Sequence, residues 1–132
     1  MLADEISVFE ESIWDEFGDP TSDEKAHSII STYCPILNVN ESQSYPPMLV
    51  VSTIDDENVP YNNGVRYVTK VRDMIKTKNE SKSVYPTEDE MDNDILLHIE
   101  KEGGHHLHGR KLDVCTLEAC FLLGQLYNTT ES

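Results

Sequence analysis

Apolar positions along this chain fall into two kinds of pattern. Two runs are short and nearly unbroken: Met48-Leu49-Val50-Val51-Ser52-Thr53 and Ile95-Leu96-Leu97-His98-Ile99-Glu100. Apolar or β-favouring residues at consecutive rather than alternate positions predict strands covered on both faces, as inside parallel sheets. Pro46-Pro47 leads into the first run and the acidic turn Asp55-Asp56-Glu57-Asn58 ends it. The second empties into Gly103-Gly104-His105-His106-Leu107-His108-Gly109.

The remaining apolar residues recur at helical spacing. Ile6, Phe9, Ile13 and Phe17, with Trp14 beside them, predict a helix over 5–17 that Gly18-Asp19-Pro20 terminates. Thr21-Ser22-Asp23-Glu24 has the form of a capping box, with Thr21 as N-cap, and opens a helix striped by Ala26, Ile29, Ile30 and Tyr33. Pro35 stops it, and 36–47 reads as an Asn- and Ser-containing loop. Gly64 precedes a third expected helix that runs to about residue 76, striped by Tyr67, Val68, Val71, Met74 and Ile75. Residues 77–93 are polar and acidic, without periodicity, and predict a surface insertion. The last helix, about 112–127, is apolar nearly all round through Leu112, Val114, Leu117, Phe121, Leu122 and Leu126, so it should be largely buried.

The order helix, helix, strand, helix, strand, helix is that of an α/β protein. A strand-helix-strand unit with a right-handed crossover implies two parallel neighbours near 48–53 and 95–100. Two strands do not make a stable parallel sheet with both faces covered. The pattern is therefore that of a piece of a larger domain.

Charge narrows the partners. The chain has 132 residues, with 25 acidic against 10 basic and a formal charge of −15. Nucleic acid and anionic membrane surfaces are recognised through Lys and Arg, so neither is an expected partner. No apolar run approaches the roughly 18–20 residues of a membrane span. The acidic start Met1-Leu2-Ala3-Asp4-Glu5 lacks the basic and apolar regions of a signal peptide. Three cysteines, Cys34, Cys115 and Cys120, form no disulfide framework, and a reducing, cytoplasmic location is expected.

Both predicted strands end in ionisable loops. Ligands and catalytic groups collect at the carboxyl ends of strands in open α/β sheets. The first loop offers Asp55 and Asp56, the second His105, His106 and His108. If the strands are neighbours, an aspartate and a histidine share one sheet edge. A carboxylate that orients an imidazole is two-thirds of a Ser-His-Asp arrangement, and the order Asp before His fits α/β-hydrolases. Each loop also suits a plainer role: Asp55 to Asn58 as a solvated helix-capping turn, the histidines as a solvated loop. A zinc site built from the loop histidines with Cys115 and Cys120 is disfavoured, because the cysteine spacing is loose and both lie in an apolar helix. No metal and no cofactor is expected. The Gly-x-Ser-x-Gly nucleophile elbow does not occur around any of the six glycines.

Several of these segments together resemble the prolyl oligopeptidase family of serine peptidases, in its oligopeptidase B and prolyl-endopeptidase-like branch. Trp14-Asp15-Glu16-Phe17-Gly18-Asp19-Pro20 resembles that branch's W-x-E-W/F-G-N/D-P. Tyr33-Cys34-Pro35 with Asn38-Val39 resembles Y-S/C-P-x-x-N-V/I. Tyr45-Pro46-Pro47-Met48-Leu49-Val50 resembles the strand that precedes the family's catalytic aspartate, and Asp56-Glu57-Asn58-Val59-Pro60 its D-x-x-V turn. Gly104-His105 resembles the catalytic G-H loop. The motifs keep their order nearly end to end.

The resemblance implies the C-terminal part of a peptidase catalytic domain, acting on small peptides. In the D-x-x-V register Asp56, not Asp55, takes the catalytic place, and His105 matches the catalytic histidine. His106 is the alternative, since some members carry G-G-N-H there; the usual glycine after the histidine is missing. The resemblance also implies parts that these residues do not contain: a nucleophile-bearing half, the oxyanion hole and a propeller domain. The expectation is a fragment of such a peptidase, starting at an internal methionine and inactive alone. The rival expectation is a non-catalytic interaction protein descended from one.

Overall fold

The computed structural model describes residues 18–82, 95–105 and 111–128. They form α1 (Glu24–Tyr33), β1 (Met48–Thr53), α2 (Asn62–Lys82), β2 (Ile95–Glu100) and α3 (Leu112–Asn128). The helix expected over 5–17 lies outside the described residues.

The two strands occupy the expected positions and pair in parallel, with Met48 opposite Ile95 and Thr53 opposite Glu100. The ladder extends one bond past the strands, Ile54 N–H donating to Glu100 O at 2.9 Å. Because side chains alternate along a strand, Met48 and Val50 share one face with Ile95 and Leu97. α2, the connection between the strands, packs on that face. Val68, Val71 and Ile95 are buried at its centre, with Met48, Val50, Tyr67, Ile75 and Leu97 around them. Full burial of a valine side chain stabilises by about 1.5–3 kcal/mol, so Val68 and Val71 anchor the crossover.

Gly64 sets how closely α2 approaches β1. A Cβ there would run into Ser52 Oγ and stand 3.2 Å from Val50 Cγ1. Arg72 fastens the other strand, its Nε and Nη2 donating to Ile95 O at 2.8 and 2.5 Å. Lys70 Nζ donates to Ile36 O at 2.6 Å and draws the 36–47 loop onto the helix.

Four expectations need correction. The N-cap of α1 is Asp23, whose side chain accepts from Lys25 N–H at 2.8 Å. Thr21 instead donates through its N–H and hydroxyl to Asp19 Oδ1, in a turn before the helix. α2 begins two residues before Gly64 and continues past residue 76 to Lys82, so Thr77–Lys82, polar in sequence, extend the helix. Residues 83–93, the rest of the expected insertion, lie outside the described residues. Third, α3 is not largely buried. Val114 is 1% exposed, but Leu112, Leu122, Leu126 and Tyr127 are 84%, 62%, 63% and 72% exposed. The strands are likewise only partly covered: Leu96 and Ile99 are exposed, and β1 is fully buried only at Thr53. Sequence apolarity records the surface a helix or strand needs covered. Among the described residues, α2 covers one face of a two-stranded sheet.

Candidate functional site

Parallel strands end at the same edge, so their exit turns lie side by side. After Thr53 the chain turns at once, Asp56 N–H donating back to Thr53 O at 3.3 Å. The Asp56 carboxylate then folds over its own turn. Its Oδ1 accepts from Asn58 N–H and Val59 N–H, both at 2.9 Å. These bonds fix the side chain's direction before any distant group is involved.

That distant group is His105. Its Nδ1 lies 3.1 Å from Asp56 Oδ1 and 3.2 Å from Oδ2, across 49 residues of sequence. Burial pushes the Asp56 carboxyl up, but the Val59 and Asn58 amides, with His105, outweigh it and hold the group below the usual carboxylate range. The carboxylate is thus ionised at neutral pH and can only accept. The proton between the two groups therefore sits on Nδ1, which leaves Nε2 as the lone-pair nitrogen of the neutral ring. An imidazole so oriented can take a proton at Nε2, and the carboxylate beside Nδ1 stabilises the imidazolium that forms. The pair is accessible: the side chains of His105 and Asp56 are 41% and 14% exposed.

Asp55 has a different target. Its Oδ2 accepts from Gly103 N–H at 3.1 Å and its Oδ1 from Gly104 N–H at 2.9 Å. These bonds, Gly104 first, lower its carboxyl below the usual range, with a smaller contribution from the Lys111 charge. Lys111 itself pairs with Glu100 at 3.2 Å. Sequence reasoning weighed Asp55 only as a competitor of Asp56. The adjacent glycines Gly103-Gly104 were the available signal for its partner.

His106 and His108 lie outside the described residues. Cys34, Cys115 and Cys120 are free thiols. Among the described residues no group of three or more His, Cys, Asp or Glu side chains gathers as a metal site would. No described helix is long and apolar enough to cross a membrane.

Comparison with known proteins agrees with the motif pattern. The sequence profile of the prolyl oligopeptidase family matches residues 1–128. The chain is 33% identical to prolyl endopeptidase-like of Homo sapiens over 92 residues, 69% of this chain and 12% of that protein. It is 38% identical to the Xenopus laevis protein of the same name over 58 residues, 44% of this chain and 8% of that protein. Protease 2 of Moraxella lacunata is 36% identical over 66 residues, 50% of this chain and 9% of that protein. The matched stretch thus spans 12% or less of each of these relatives. No solved structure gives a significant match. With the profile matching nearly the whole chain, and with an Asp–His pair joining the exits of two parallel strands, this chain belongs to the prolyl oligopeptidase family.

Proposed function

We propose that these residues are the C-terminal part of the catalytic domain of a serine-type oligopeptidase. They supply the acid and the base of a Ser-Asp-His triad that hydrolyses peptide bonds in small peptides. The observation that carries this reading is the contact of Asp56 with His105 Nδ1 at 3.1 Å, at the carboxyl ends of the parallel strands. Asp56 holds the proton on Nδ1 and steadies the imidazolium. His105 Nε2 takes the proton of a serine hydroxyl as the oxygen attacks the peptide carbonyl, then gives it to the leaving amine. The serine and the oxyanion hole come from a nucleophile-bearing segment other than these residues, which contain no Gly-x-Ser-x-Gly. Triad groups act as a unit, so the chain alone is inactive. The three free thiols support a reducing, cytoplasmic setting.

Reconstitution tests this. Mixed or co-expressed with the nucleophile-bearing part of a family peptidase, the chain should restore cleavage of a short fluorogenic peptide. Asp56→Asn and His105→Ala should each lower kcat by about 10³-fold or more. A second reading, a non-catalytic interaction protein, rests on the exposed apolar side chains of α3, among them Leu122 and Leu126. It predicts that the chain binds the peptidase half without restoring cleavage.

A further inference from the structure

The two exit turns are joined by two adjacent carboxylates with separate targets. Asp56 meets a side chain, and Asp55 meets backbone. Each Asp55 oxygen accepts one amide of the opposite loop, Gly103 at 3.1 Å and Gly104 at 2.9 Å. Gly103 has φ 151° and Gly104 φ 61°, conformations that favour glycine. The two successive amides together hold one anion. Here the anion is a side chain of the protein itself, one residue away from the group that must meet His105.

The next residue after these two glycine amides is His105, so the path of the Gly103–Gly104 backbone sets where its side chain starts. We infer that Asp55 is a positioning residue: by gripping the Gly103–Gly104 backbone it presents His105 to Asp56 in the geometry the base requires. The aspartates divide one task, Asp55 setting the loop and Asp56 setting the ring. The inference rests on the proposed role of the Asp56–His105 pair, and its test separates the two.

The measurement is the tautomer of His105, read from side-chain ¹⁵N shifts of the chain at about pH 8.5, where an ordinary imidazole is neutral. The wild type should show an excess of the Nδ1–H form, and Asp56→Asn should lose it. Asp55→Asn, of equal size but unable to accept both amides as an anion, should shift the ratio at least about twofold toward Nε2–H, and Asp55→Glu should recover part of the loss. Amide shifts over 48–53 and 95–100 check that the sheet is intact. If Asp55→Asn does not fold, Gly104→Ala strains the same turn through φ alone, because an added Cβ there meets nothing within 4 Å, and should shift the ratio in the same direction. In the reconstituted peptidase Asp55→Asn should lower kcat about tenfold at unchanged KM. A wild-type ring without Nδ1–H excess overturns the Asp–His pair itself. A wild-type excess that persists in the folded Asp55 or Gly104 variant, or a change in KM alone, overturns the positioning role and leaves the pair standing.

Discussion

Replacing Gly64 by alanine sets two physical effects against each other, and the structure decides which prevails. Taken alone, alanine in a helix is favoured over glycine by up to about 1 kcal/mol. At this position, however, the new methyl would overlap Ser52 Oγ and press on Val50 Cγ1 at 3.2 Å. Overpacking of this kind costs about 1–3 kcal/mol. The expected balance is a destabilisation of about 1 kcal/mol, a fall in Tm of about 4 °C for a chain of this size. Ser52→Ala removes the atom in the way, while Ser52 Cβ at 3.6 Å is in ordinary contact. The double variant Ser52→Ala/Gly64→Ala should therefore recover most of the loss, a coupling that a double-mutant cycle by urea unfolding reads directly. Stabilisation by Gly64→Ala in the wild-type background would refute the close approach of α2 to β1. The crossover that sets the parallel pairing would then be wrong at its root.

Other consequences concern the site and the exposed helix. Gly104→Ala should cost about 1–2 kcal/mol at the loop, from φ of 61° with no new contact, and should reduce kcat of the reconstituted peptidase about tenfold. Asp55 and Asp56 are both held below the usual carboxylate range. Groups depressed in the folded state contribute stability that is complete above their unfolded pKa, about 3.9, and is lost as pH falls through the folded value. The Gly103 and Gly104 amide shifts should thus show a step below about pH 4 that Asp55→Asn abolishes; a step that survives in Asp55→Asn would contradict this. Leu122, 62% exposed on α3, should tolerate Leu122→Gln within about 0.5 kcal/mol of the wild-type urea-unfolding stability, whereas a buried leucine would not.

The strands were legible from their unbroken apolar runs, although the described residues cover only one of their faces, and the proline pair before β1 and the acidic turn after it marked its ends. α2 was legible where it packs, at Val68, Val71 and Ile75, and not over Thr77–Lys82, where a helical segment with no apolar stripe carries no periodic signal. The cap of α1 was misread because two overlapping patterns compete. Thr21 and Asp23 are both good caps by type, and the Asp19 turn takes Thr21 out of contention. The apolar surface of α3 was seen, but pattern alone cannot say which covering layer is present. At the site, the strand ends brought out the two loops and the family resemblance singled out Asp56 and His105 within them, while the work of Asp55 is invisible without knowing that Gly103 and Gly104 lie across the sheet edge from it.

The central claim is that His105, paired with Asp56, is the general base for a serine held on another segment. A fluorophosphonate probe tests it most directly, because it labels only an activated serine. The isolated chain should not be labelled. The chain joined to a nucleophile-bearing half should show labelling of that half's serine at a rate that Asp56→Asn and His105→Ala abolish and His106→Ala leaves largely intact. Labelling of the isolated chain, or full labelling in His105→Ala with loss in His106→Ala, would contradict the assignment.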